Sequence, residues 1–181
     1  RAQSMLRDET DPERRRTLAV INTQAFRANE MIADMMLFAR PPQPVRKRIN
    51  VVTIIDAVIG ELSDEAQLQG TQLSRSRSSA DELFLSVDAT QMAVAIRAIC
   101  LNAMESLSAG GKVEVDVANA VRLPGAAGLW AKISICDNGP GISREVRRHL
   151  FDPFFSGREA GRGMGLGLAK CWRVVTLHGG R

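Results

Sequence analysis

Residues 129–142 read LWAKISICDNGPGI, an apolar run that meets a carboxylate and then two glycines flanking a proline. The first eight, Leu129 to Cys136, have the composition of a strand. Asp137 therefore stands at a strand end, where its carboxylate can accept a hydrogen bond from the exocyclic amine of a purine. Gly139 and Gly141 carry no side chains, so a flat base could approach the backbone beside that carboxylate. An ordinary Gly-Pro turn is the plainer reading of the same residues.

Working outward, residues 112–120 alternate apolar and polar (Val113, Val115, Val117) as a half-buried strand, joined to the first by a turn at 123–128. Residues 89–107 predict a helix with Met92, Ile96, Ile99 and Ala103 on one face. Residues 51–69 predict another, ended by Gly70, and 72–77 and 82–87 predict short strands. Downstream, 143–150 reads as a short helix and 166–178 as a longer one stopped by Gly179-Gly180. Strands and helices mix without a β-α-β rhythm, so the expected class is α+β, a two-layer α/β sandwich on a mixed sheet.

Two further segments carry candidate chemistry. The run Gly161-Arg162-Gly163-Met164-Gly165-Leu166-Gly167-Leu168 leads into a helix. Alternating glycines bare successive backbone N–H groups, and a helix N-terminus adds positive potential, which suits a phosphate chain. No Gly-Lys-Ser/Thr follows and no strand leads directly in, so it is neither a Walker A loop nor a dinucleotide fingerprint. An unliganded loop is the plainer reading. Asn102, in mid-helix, offers a hard amide oxygen of the kind that Mg²⁺ accepts; a surface asparagine is its plainer reading.

The N-terminal quarter is different in kind. Asp11-Pro12 is a helix start, with a capping carboxylate and a proline at the first helical position. Leu18, Ile21, Ala25, Ala28, Ile32, Met35 and Ala39 then recur at spacings of three and four, the stripe of a coiled coil or bundle. Pro41, Pro42 and Pro44 end it. Residues 1–7 are expected to close an earlier helix, giving a hairpin that dimerises as a four-helix bundle.

Composition narrows the alternatives. Of 181 residues, 45% are hydrophobic and 24% charged, enough for a packed core. The net charge of +4 is spread over several short basic runs, and aromatics are only 4%, so nucleic acid is not an expected partner. No apolar stretch is long enough to span a bilayer, no signal peptide opens the chain, and no membrane contact is expected. Cys100, Cys136 and Cys171 are widely spaced and sit in apolar runs, which reads as structural thiols in a reducing, cytoplasmic setting.

In this order, the segments resemble the histidine-kinase branch of the ATPase superfamily that also holds gyrase, heat-shock chaperones and mismatch-repair ATPases. Asn102 falls on that family's asparagine box, Asp137-Gly139-Gly141 on its first glycine box and Gly163-Gly165-Gly167 on its second. Phe151-Asp152-Pro153-Phe154-Phe155 matches the kinase-specific phenylalanine box, and His178-Gly179-Gly180 the end of the last helix. Upstream, Arg27, Leu37 and Phe38-Ala39-Arg40-Pro41 look like the second dimerisation helix of nitrogen-regulation sensors. The resemblance implies ATP and Mg²⁺ as ligands. Asp137 would hold the adenine amine, Gly139, Gly141 and Ile142 would line the base, and Asn102 would coordinate the metal. The stretch holding Phe154, Arg158, Arg162, Gly163, Gly165, Leu166 and Gly167 would close over the phosphates.

It also implies three regions: 1–40 as partial dimerisation and phosphotransfer helices, 41–48 as a proline-rich linker, and 49–181 as the catalytic domain. The expected partners are a second copy of the chain and a response-regulator receiver domain. Three departures stand out. Ala98 replaces the family's second asparagine and also the water-activating glutamate of hydrolytic relatives, which favours a kinase over an autonomous ATPase. The acceptor histidine is expected outside the chain, since neither His149 nor His178 has the required helical setting, and one or two further strands are expected beyond Arg181. A hydrolytic ATPase and a degenerate kinase used as a docking scaffold remain alternatives.

Overall fold

The computed structural model describes residues 9–39, 42–77, 80–107, 110–122, 124–125, 127–155 and 165–181. It divides into two units, Arg1–Pro41 and Pro42–Arg181.

The first unit holds one described helix, α1 (Pro12–Ala39). Its start is the expected one: Asp11 Oδ1 accepts the N–H groups of Glu13 (2.9 Å) and Arg14 (3.0 Å), two donors the first turn cannot satisfy itself. Along the stripe, Ile21, Ile32 and Met35 are 51%, 58% and 50% exposed, an apolar seam on the helix surface. The expected earlier helix (1–7), residues 40–41 and the side chains of Arg27, Leu37, Phe38 and Ala39 lie outside the described residues.

The second unit is an α+β sandwich. Its elements run β1 (Lys47–Asn50), α2 (Val51–Gln69), β2 (Gln72–Arg75), β3 (Phe84–Val87), α3 (Ala89–Ser106), β4 (Lys112–Val121), β5 (Trp130–Asp137), α4 (Arg144–Arg148) and α5 (Gly167–Leu177). β2, β4 and β5 form a mixed sheet, β2 parallel and β5 antiparallel to β4, while β1 and β3 pair antiparallel. Helices α2 and α3 pack on the sheet, and α5 packs along α3.

Local signals set most of these limits. Asn50 Oδ1 accepts Val52 N–H (3.2 Å) and also Leu83 N–H (3.0 Å), so one side chain caps α2 and ties it to the segment before β3. Gly70 closes α2 in the left-handed conformation (φ 71°). β4 alternates as read: Val113, Val115 and Val117 are buried against Ile55, Val58, Leu62, Ile96, Cys100 and Met104, and Glu114 and Asp116 take the other face.

Four elements differ from expectation by more than one residue at an end. β1 had no forecast; its KRIN sequence has little β character, and it is a strand because Lys47–Asn50 pairs with Phe84–Val87. Strand structure thus begins inside the stretch read as linker. β2 and β3 are each two residues shorter than expected, and α4 is a helix only over Arg144–Arg148.

Candidate functional site

The sheet register decides where Asp137 faces. Val113 pairs with Asp137 and Glu114 with Cys136, and directly paired residues share a face. Asp137 is therefore on the helix-covered side with Val113, and Cys136 is on the other side. Asp137 itself is exposed, being the last residue of β5.

The loop that follows is tied at both ends. Asn138 Oδ1 accepts Lys112 N–H (2.7 Å) and Asn138 N–H donates to Lys112 O (3.2 Å), fastening the loop to the start of β4. Asp137 Oδ1 accepts Gly139 N–H (2.9 Å), while Oδ2 takes no protein partner among the described residues. Gly139 is a contact requirement: a Cβ there would lie 2.8 Å from Asp137 Oδ1, 3.1 Å from Ser106 Oγ and 3.2 Å from Leu107 Cδ2.

The last two of those neighbours show that the C-terminal end of α3 abuts the loop. Asn102 lies one turn before Ser106 on the same helix face, is half-buried, and already has a partner of its own. The structure thus brings Asn102, Asp137 and Gly139 to one end of the sandwich. Gly141 (φ 77°) and the exposed Ile142 continue the loop outward.

The second glycine run is joined to the phenylalanine segment through its backbone. Phe154 N–H donates to Gly165 O (3.2 Å), and a Cβ on Gly165 would fall 2.4 Å from Phe155 O. Phe154 is 60% exposed and has φ 66°, a left-handed conformation unusual for a non-glycine residue. His149 Nδ1 sits 2.7 Å from Asp152 Oδ2, and its ring lies 5.3 Å from that of Phe155. Leu166 is only 2% exposed, so it anchors the start of α5, and Gly167 opens that helix half-buried. Arg158, Arg162 and Gly163 lie outside the described residues.

Burial raises the thiol pKa of both Cys100 and Cys171 to about 11, with Lys170 opposing the shift at Cys171. Neither is a nucleophile at neutral pH. The sequence reading missed the abutment of Ser106 and Leu107 on Gly139, and the role of Asn138. Neither leaves a local signal, because each is a contact between segments far apart in the chain. Among the described residues no helix is long and apolar enough to cross a membrane.

A mixed sheet covered by helices on one face, with a carboxylate-glycine loop at its end, is the layout of a class of ATP-binding α+β domains. The profile of the family described as histidine kinase-, DNA gyrase B-, and HSP90-like ATPase matches residues 87–181, and the chain belongs to that family. Its relatives are sensor histidine kinases. Sporulation kinase D of Bacillus subtilis is 26% identical over 90% of this chain, and the kinase AtoS of Escherichia coli is 26% identical over 97%. The chain spans 30% and 28% of their lengths. The kinase/phosphatase NtrB of Rhodobacter capsulatus is 32% identical over 51% of this chain and 27% of its own. Among solved structures, the mycobacterial sensor histidine kinase MprB covers 75% of this chain and 81% of its own (TM-score 0.59, 25% identity). Full-length ShkA in complex with AMPPNP covers 98% of this chain and 37% of its own, with a TM-score of 0.78 at 19% identity, a likeness of fold.

Proposed function

We propose that the chain binds Mg-ATP and supplies the catalytic part of a longer, cytoplasmic-facing sensor histidine kinase. The observation that carries this reading is the Asp137 carboxylate: it is set by register toward the helix side and held by Gly139 through one oxygen, and its other oxygen takes no partner among the described residues. An acceptor so fixed suits the adenine amine, and Gly139, Gly141 and Ile142 offer the base a bare edge and an apolar contact. Asn102, on the neighbouring helix end, would meet the region into which the phosphates extend. The first turn of α5 supplies bare N–H groups near Gly165, Leu166 and Gly167. Phe154, Arg158, Arg162 and Gly163 belong to the segment that would cover the phosphate tail, the arginines as permanently charged donors.

Among the described residues no group of three or more His, Cys, Asp or Glu side chains is placed to hold a metal. A cation here would take most of its ligands from phosphates and water, as Mg²⁺ does, so a single amide donor from Asn102 fits it. When bound, Mg²⁺ supplies neutralisation of the phosphate charge. The chain's own contribution is to hold and orient ATP, so that a nitrogen lone pair of an acceptor imidazole attacks the γ-phosphorus. The N–P bond forms, the bond from the γ-phosphorus to the β–γ bridging oxygen breaks, and ADP leaves with that electron pair. Residues 1–40 would belong to the dimerisation helices, pairing with a second copy through the exposed α1 seam, with 41–48 linking them to the catalytic domain over 49–181. The phosphoryl group would pass on to an aspartate of a response-regulator receiver domain.

Calorimetric titration with Mg-ADP tests the reading: specific binding is expected, weakened at least tenfold by Asp137→Asn. Equal affinity of the variant refutes it.

A further inference from the structure

The segment between α1 and β1 is fastened to the catalytic unit at three points. Gln91 Nε2 donates to Pro42 O (2.9 Å), Val45 N–H donates to Asp88 Oδ2 (2.9 Å), and Arg46 Nη2 donates to Leu177 O (2.7 Å). Asp88 is the hub of this clasp. Its other oxygen, Oδ1, caps α3 by accepting Gln91 N–H (3.1 Å), and its own N–H donates to His178 Nε2 (3.0 Å). His178 Nδ1 lies 2.8 Å from Val174 O, so the neutral Nδ1–H form satisfies both ring nitrogens. The N–H groups of Gln91 and Val45 hold the Asp88 carboxyl below the usual range. The clasp therefore gathers the linker, the start of α3 and the end of α5. It lies about 20 Å from Asn102, fourteen residues along α3.

None of these residues is near the nucleotide loops, and capping alone needs one oxygen of Asp88. The second oxygen, the Arg46 guanidinium and the buried Gln91 amide are all spent on holding a segment that carries no core residue. We propose that Asp88 is a positioning residue for phosphoryl transfer, acting through Val45: together with Arg46 and Gln91 it shortens the free tether between the catalytic unit and the helices that present the acceptor. This rests on the kinase reading above.

With the clasp closed, two residues (40 and 41) separate the end of α1 from the first pinned residue, Pro42; with it open, seven (40–46) precede β1. Effective concentration falls roughly as the −3/2 power of tether length, so a tether about 3.5 times longer lowers it about sixfold.

The test uses the longer protein that includes the acceptor helix. Asp88→Ser keeps a capping oxygen but cannot also reach Val45, and Val45→Pro deletes the donor without touching α3. Arg46→Ala provides a third variant that leaves both in place. Transfer of labelled γ-phosphate is measured at saturating ATP, beside the Kd for Mg-ADP and the KM for ATP. Opening all three fastenings at once, with Gln91→Leu, Val45→Pro and Arg46→Ala combined, is expected to lower the transfer rate about sixfold, and each of Asp88→Ser, Val45→Pro and Arg46→Ala alone to lower it by less than that, with Kd and KM unchanged throughout. Rates equal to wild type, or losses matched by weaker nucleotide binding, overturn the inference. A wild-type protein that binds no Mg-ADP or transfers no label overturns the kinase reading itself, and the inference with it.

Discussion

Replacing Gly139 by alanine adds one methyl group, and the structure states where it goes: 2.8 Å from Asp137 Oδ1 and 3.1 Å from Ser106 Oγ. Gly139 is not among the residues with positive φ, so alanine meets no backbone penalty and the effect is contact alone. A carbon that close to oxygen is inside van der Waals contact, so the carboxylate must turn away or the loop must lift from α3. Either movement breaks the 2.9 Å bond from Gly139 N–H to Asp137. An exposed loop bond of this kind is worth about 1 kcal/mol to the fold. A carboxylate displaced from a purine amine forfeits a charge-assisted hydrogen bond worth about 1.5–3 kcal/mol, or about 10- to 150-fold in Kd. Binding should therefore suffer more than folding. Titration with Mg-ADP beside a thermal melt measures both. Unchanged affinity refutes the reasoning, as does a loss of binding no larger than the loss of fold stability.

Ile55→Ala should cost about 2–5 kcal/mol in urea unfolding, because Ile55 is fully buried on the core-facing side of α2 and its removal leaves a cavity. Gly165→Ala should lower stability by about 1–3 kcal/mol and loosen the junction of Phe154 with Gly165, since φ is 66° and a Cβ would strike Phe155 O; limited proteolysis with an unfolding curve reads both. Iodoacetamide should label Cys136, which is exposed, well before Cys100 and Cys171, as peptide mass spectrometry would show. Those two buried thiols also set an alkaline limit. Their folded pKa of about 11 lies above the ordinary thiol value of about 8.5, so their contribution to stability is whole below the ordinary value. It is lost as pH rises toward about 11, and Cys100→Ala/Cys171→Ala should flatten unfolding curves across that window.

What could be read from the chain depended on how local each cause was. The limits of α2 came through because Asn50 and Gly70 act on their own turns, and β4 because burial of one face writes its alternation into Val113, Val115 and Val117. β1 did not, since Lys47–Asn50 is a strand only by virtue of β3 some 35 residues on. The candidate site divides the same way. Asp137 and its glycines announce themselves by type and order, whereas the pressure of Ser106 and Leu107 on Gly139 depends on how α3 lies against the loop. Asp88 could have been noticed as a helix cap, but its bond to Val45 spans 43 positions and leaves no pattern.

The parity of β5 has a practical consequence. Cys136 and Asp137 are neighbours in the chain yet look out from opposite sides of the sheet. A residue gained or lost between 122 and 129 merely changes the length of a connection and leaves the carboxylate aimed as before. The same change between 130 and 137 rotates everything after it by half a turn and turns Asp137 to the face that now carries Cys136. Tags, reporters or natural length variation should therefore be tolerated ahead of Trp130 and be ruinous a few positions later.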